Sequence, residues 1–189
     1  MPPLQLLIKP ASGMCNLRCR YCFYYDVTQN REQENYGLMS RETLENLVKK
    51  SLEYGEKSCG FAFQGGEPTL AGLDFYQDLI EFVEKYNKKN LQISYSIQTN
   101  GYHLGEEWAK FFASHHFLAG ISLDGVKATH DSERLTPLGE GSFAGVMKTI
   151  ELFEKHKVEY NILTVVNAKT AAKIRRIYEF YKKNNFHYQ

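Results

Sequence analysis

Cys15, Cys19 and Cys22 stand in the spacing C-x-x-x-C-x-x-C. A [4Fe–4S] cluster ordinarily takes four thiolates, one per iron. Three cysteines on one compact loop would bind three irons and leave the fourth able to accept a nitrogen and an oxygen from a ligand. The amino and carboxylate groups of S-adenosylmethionine supply such a chelate. An electron from a reduced cluster then cleaves the sulfonium to give a 5′-deoxyadenosyl radical, with the protein providing orientation and exclusion of water. Zinc is the competing ligand for these thiols. It requires a fourth Cys or His in tetrahedral geometry, and the loop offers none, the nearest histidine in sequence being His103. A purely structural role for the thiols is the third reading.

Other residues gain meaning from their position relative to this loop. Tyr21 directly precedes the last cysteine, where its ring can cover the cluster and its backbone can face a nucleoside, although a packing tyrosine is the plain alternative. Tyr24 lies just beyond. In Gly65-Gly66-Glu67-Pro68 the missing side chains let backbone groups approach a ligand, so Gly65, Gly66 and Glu67 are expected cofactor contacts; alone, the tetrapeptide reads as a tight turn. Gln64, Gln98 and Asn100 are candidate substrate contacts, with a core hydrogen bond for Gln64 and an Asn-Gly turn for Asn100 as alternatives. Ser122 is a candidate ribose contact, whereas Asp124-Gly125 reads as turn chemistry. Arg134 can pair with a ligand carboxylate or stand solvated. Cys59 opens an apolar stretch and reads as core; His115, His116 and His130 have no ligand spacing to the cysteines and read as surface or packing residues.

The elements that must position these groups follow from periodicity. Leu4–Ile8, Gly60–Gln64, Ile93–Ile97, Leu118–Ser122 and Tyr160–Val165 read as short buried strands. Helical stripes fall between them: Leu44, Leu47, Val48 and Leu52 after a candidate cap at Ser40; Tyr76, Leu79, Ile80 and Val83; a weaker one from Glu106 to Ser114; Phe143, Val146, Ile150 and Phe153 after Ser142; and Ile174, Ile177, Tyr178 and Tyr181. This alternation implies an α/β fold of about five βα units around a parallel sheet. The cysteine loop, Gly-Gly-Glu-Pro, Gln-Thr-Asn-Gly and Ser-Leu-Asp-Gly each follow a strand, so all four share the C-terminal rim where ligands bind in such folds. The stretch from Pro10 to Met39 is too long for an idle connection.

Composition narrows the partners. With 23 Lys and Arg against 22 Asp and Glu, the net charge of +1 argues for neither nucleic acid nor an anionic membrane as a partner. The apolar run near the N-terminus lacks a basic flank and is too short for a signal segment or a span. Clustered cysteines suit a reducing compartment, so a cytoplasmic location is expected.

Taken together, the segments LLIKPASGMCNLRCRYCFY, FAFQGGEPTLAG, SIQTNG, ISLDG and NILTVVN resemble the radical S-adenosylmethionine superfamily, and within it the anaerobic sulfatase-maturating enzymes. The resemblance implies a partial (β/α)6 TIM-like barrel, with residues 1–189 forming the radical core. It implies a [4Fe–4S] cluster on Cys15, Cys19 and Cys22, and S-adenosylmethionine contacts from Tyr21, Gly66, Ser122 and Arg134. The implied reaction oxidises a cysteine or serine of an unfolded or nascent sulfatase to Cα-formylglycine, with flavodoxin or ferredoxin as electron donor. Maturases of other ribosomal peptides share these motifs, and a non-catalytic iron–sulfur carrier is the alternative of another class. In the family a sixth strand, an auxiliary-cluster region and an acidic proton acceptor follow. The expectation is therefore that Gln189 lies where that strand would begin, that the chain is an N-terminal piece, and that the proton acceptor lies beyond it.

Overall fold

The computed structural model describes residues 3–188. Five parallel strands form one sheet in sequence order: β1 (Leu4–Ile8), β2 (Ser58–Phe63), β3 (Gln92–Thr99), β4 (Phe117–Ser122) and β5 (Glu159–Leu163). The registers Leu4↔Cys59, Cys59↔Ile93, Tyr95↔Phe117 and Leu118↔Glu159 bring the strands' C-terminal ends to one rim. Among the described residues eight α-helices connect or flank them: α1 (Phe23–Gln29), α2 (Arg41–Tyr54), α3 (Leu73–Tyr86), α4 (Glu106–Ser114), α5 (Lys127–His130), α6 (Phe143–His156), α7 (Ala168–Ala171) and α8 (Ile174–Lys183), with a short 3-10 turn at Pro68–Ala71. Parallel neighbours require such crossovers, and order without a skipped strand is that of a barrel segment. No helix among the described residues is long and apolar enough to cross a membrane.

The core lies between the sheet's outer face and the helices. Tyr76 of α3 is fully buried; its ring meets Phe63, Phe75, Trp108 and Phe117 edge to face, and its hydroxyl donates to the Pro68 carbonyl at 3.0 Å. A buried phenol needs such an acceptor, and this one anchors the turn that carries Glu67 and Pro68. Cys59 is wholly buried in the same core. The opposite, concave face is not closed: Leu7 is 62% exposed and Leu118 43%. The strands expected to be buried are thus covered on one face only.

Local expectations and structure differ where side chains find better partners. Ser40 caps α2 as its sequence suggests, accepting from the Thr43 amide at 3.1 Å. Ser142 precedes α6 without capping it, because its hydroxyl turns inward to the Arg134 carbonyl, 2.8 Å away. The short helices α1, α5 and α7 carry no long apolar stripe and escaped the periodicity reading. Gln64 falls just outside β2, and β5 ends at Leu163 rather than Val165. Beyond α8, Ile162 donates to the His187 carbonyl at 2.7 Å and pairs in parallel with Tyr188, so the last described residues run beside β5. Gln189 lies outside the described residues.

One backbone approach sets the rim. Gly66 has φ of +58°, and a Cβ there would lie 2.1 Å from the Met14 carbonyl oxygen of the cysteine loop. The next amide, Glu67, donates to that same oxygen at 2.7 Å. Only glycine permits both. Gly66→Ala is expected to lower stability by about 2 kcal/mol or more, since a backbone atom must move in addition to the left-handed strain. A urea melt gives the answer, and an unchanged midpoint would refute the close approach.

Candidate functional site

The cysteine loop runs from the end of β1 to α1. Pro10, Ala11 and Leu17 bury their side chains, and the amides of Arg18 and Arg20 donate to the carbonyls of Leu135 and Glu133 at 2.6 and 2.9 Å. Cys15, Cys19 and Cys22 are free and partly buried. The Cys15 sulfur faces the Leu17 amide at 3.4 Å and Asn100 Nδ2 at 3.7 Å, and the Cys19 sulfur faces Arg134 Nη1 at 3.9 Å. Burial pushes the Cys19 thiol up to about 11 against the pull of Arg134; Cys15 and Cys22 raise it further, so the three sulfurs lie within electrostatic reach of one another. Among the described residues no three Cys, His, Asp or Glu side chains group tightly enough to chelate a single metal ion. Three thiols sharing one loop, each of two receiving an N–H from another rim loop, fit the donor set of a cluster, whose sulfurs take such hydrogen bonds.

Two buried acids hold the rim loops. Glu67, 1% exposed, accepts from Thr69 N and Oγ1 and from Thr99 Oγ1 through Oε1, and from the Asn100 amide at 2.7 Å through Oε2. Burial raises its carboxyl pKa and these donors pull it back. Both carboxylate oxygens are engaged inside the protein. Asn100, 7% exposed, gives Nδ2 to Asn16 Oδ1 at 2.7 Å and receives the Tyr102 amide at 2.8 Å, so it braces the cysteine loop.

Asp124 is the second acid and has no exposed surface. Its Oδ2 accepts from Arg134 Nε at 2.9 Å and from the Tyr21 hydroxyl, and its Oδ1 accepts from the Val165 amide at 3.0 Å. The Arg134 guanidinium lies 5.4 Å over the Tyr21 ring. Burial raises the Tyr21 phenol far above its ordinary range, so it remains a donor. The aspartate read from sequence as turn chemistry therefore orients both Tyr21 and Arg134. His130, read as a packing residue, is fully buried and accepts from the Asp124 amide at 3.2 Å through Nδ1. Burial and then Arg134 lower its pKa to about 4.

The concave face holds the remaining candidates. A cleft of about 270 Å³ is lined by Leu7, Gln64, Gln98, Gly120, Asn161 and Leu163 among others. Gln98 Nε2 donates to Ser122 Oγ at 3.1 Å, and a Cβ on Gly120 would sit 2.3 Å from the Gln98 oxygen, so this glycine makes room for the glutamine. Tyr24 lies elsewhere, in a cleft of about 490 Å³ where Lys9 Nζ stands 5.0 Å above its ring. Gly65 abuts Lys9 as well, at φ of +111°.

The sequence pattern of the radical SAM superfamily matches residues 10–181. The chain belongs to that superfamily. It is 54% identical over its whole length to a cysteine-type anaerobic sulfatase-maturating enzyme of Clostridium novyi, covering 50% of that protein. It is 35% identical over 187 residues to the serine-type enzyme of Bacteroides thetaiotaomicron, covering 45% of it. Native anSMEcpe solved with bound AdoMet and Cp18Cys peptide superposes with a TM-score of 0.93 at 48% identity, over 100% of this chain and 50% of that one. The chain thus spans about half the length of the relatives it matches.

In this radical SAM core, sequence reasoning gave Asp124 to a turn, His130 to a surface or packing role and Ser142 to the start of a helix, and gave Thr99 no role of its own. Asp124 did carry a signal, since it sits on the same rim as the glycines. Asp124→Ala leaves a buried guanidinium unpaired and is expected to cost about 3–5 kcal/mol in a urea melt. For His130 the sign follows from its low folded pKa: the unfolded chain takes up a proton near pH 6.5 that the folded chain refuses until about 4. Its contribution is therefore complete above pH 6.5 and is lost as pH falls toward 4. Urea midpoints across that range are expected to fall less steeply in His130→Gln than in the parent.

Proposed function

We propose that this chain is the radical-generating core of an anaerobic sulfatase-maturating enzyme, acting on a cysteine or serine of a sulfatase polypeptide to give Cα-formylglycine. The observation that carries the reading is that the Cys15 and Cys19 sulfurs each receive an N–H group from a separate rim loop, Asn100 and Arg134. A carrier cluster takes a fourth protein ligand, whereas the remaining cysteine, Cys59, is buried in the hydrophobic core behind the sheet. Its relatives' names and the AdoMet-bound neighbour support the same reading.

Cys15, Cys19 and Cys22 would hold a [4Fe–4S] cluster, which when bound would supply the one-electron reductive cleavage of S-adenosylmethionine. The chain's own residues do the positioning. Arg134, held through Nε by Asp124, keeps its remaining donors for the methionine carboxylate. Gly65 and Gly66 bring backbone to the amino group, and Ser122, with Gln98 beside it, serves the ribose. Tyr21 backs the guanidinium, and Glu67 with Asn100 fixes the loops' spacing. Gln64 and Gln98 line the concave cleft as the substrate side, and Tyr24 borders the neighbouring cleft. A small flavodoxin- or ferredoxin-like protein of the cytoplasm delivers the electron.

After anaerobic reconstitution with iron and sulfide, S-adenosylmethionine is expected to alter the electron paramagnetic resonance spectrum of the reduced protein, and Cys19→Ala to lose nearly all bound iron. An unaltered spectrum would sink the radical reading. Peptides carrying Cys-x-Pro-x-Arg or Ser-x-Ala-x-Arg are then followed by mass spectrometry with the enzyme bearing this core. Formation of the aldehyde is the expected outcome; cofactor cleavage with both peptides unchanged would retain the radical core and remove sulfatases as its substrate.

A further inference from the structure

The polar groups behind Arg134 close into a ring. Arg134 Nε donates to Asp124 Oδ2 at 2.9 Å; the Asp124 amide donates to His130 Nδ1 at 3.2 Å; His130 Nε2 lies 2.9 Å from Ser142 Oγ; and that hydroxyl donates to the Arg134 carbonyl at 2.8 Å. Asp124, His130 and Ser142 are fully buried and Arg134 is 7% exposed, so water does not substitute for any link.

Every proton in this ring has one allowed place. A backbone amide can only donate, so Nδ1 must carry a lone pair. The imidazole then holds its proton on Nε2 and gives it to Ser142 Oγ, which leaves the serine's own proton for the Arg134 carbonyl. A neutral histidine in this tautomer alone satisfies all four groups. From His130 one side of the ring leads through Ser142 to the main chain of Arg134, and the other holds the main chain of Asp124, whose carboxylate grips the arginine side chain. The guanidinium's direction, toward Cys19 and over Tyr21, follows from both.

We infer that His130 is a positioning residue for cofactor binding: through Asp124 and Ser142 it aims Arg134 at the carboxylate of S-adenosylmethionine. This rests on the reading of Arg134 given above. The polar partners of His130 are the Asp124 amide and Ser142 Oγ, and neither belongs to the cysteine loop, so its loss is expected to weaken the ligand and spare the cluster. A residue that mattered only to folding would lower stability and leave the affinity of the folded fraction unmoved.

The test uses the reconstituted chain and three readouts: iron content, thermal midpoint, and the dissociation constant for S-adenosylmethionine by equilibrium dialysis. His130→Phe keeps the ring's bulk and removes both polar atoms; the dissociation constant is expected to rise about tenfold, the size of one weakened hydrogen bond to a charged group, with iron content equal to that of the parent. His130→Gln, which still reaches Ser142, is expected to recover part of that loss. Ser142→Ala deletes the links to both the Arg134 carbonyl and His130 Nε2 while leaving the imidazole and its bond from the Asp124 amide in place, and is expected to raise the constant in the same direction; it decides the matter if His130→Phe does not fold. Parent-like affinity in folded His130→Phe, or in Ser142→Ala if the former does not fold, overturns the inference. If the parent itself binds iron and sulfide but not S-adenosylmethionine, the reading of Arg134 fails instead.

Discussion

A carboxylate without exposed surface must be answered from within the protein, and the way Asp124 is answered organises the site. Its oxygens take the Arg134 side chain, the Tyr21 hydroxyl and the Val165 amide, so a single acid joins the loop after β4, the cysteine loop and the end of β5. A buried pair of this kind adds little net stability, because desolvating both charges offsets most of their attraction. What it does supply is direction. A guanidinium held at Nε has only its far edge free, and that edge points at the Cys19 sulfur.

Glu67 repeats the arrangement two strands away. Its four donors tie the turn after β2 to the loop after β3, and Asn100 passes the tie on to the cysteine loop through Asn16. Gly66 brings that turn against Met14 from the other side. The loop that carries the thiols is therefore short of secondary structure yet pinned at Met14, Asn16, Arg18, Arg20 and Tyr21. Pinning before ligand arrival reduces the ordering cost that binding would otherwise meet.

The sheet explains why these ties are needed. Its outer face is packed by helices around an aromatic core centred on Tyr76, while its concave face is open and lined by Gln64, Gln98 and Asn161. A closed core positions side chains by contact alone. On an open rim, contact is available from one side only, and hydrogen bonds to buried acids take over the task.

Much of this was written in local spacing. The three cysteines, the strand stretches and the helical stripes are properties of neighbours in sequence, and the strands lie within a residue or two of where periodicity puts them. Its place at the end of a strand marked Ser122, whereas only the family motifs favoured Arg134 over a solvated arginine. What only tertiary structure decided is the part played by residues whose partners are remote. Asp124 meets Tyr21 across more than a hundred positions, and Glu67 meets Thr99 and Asn100 across the sheet. His130 is near Ser142 in sequence, but its tautomer is set by an amide that folding places against it. Spacing along the chain determined which groups could do chemistry; burial decided which of them must be satisfied by one another, because a buried charge or donor has no water to turn to.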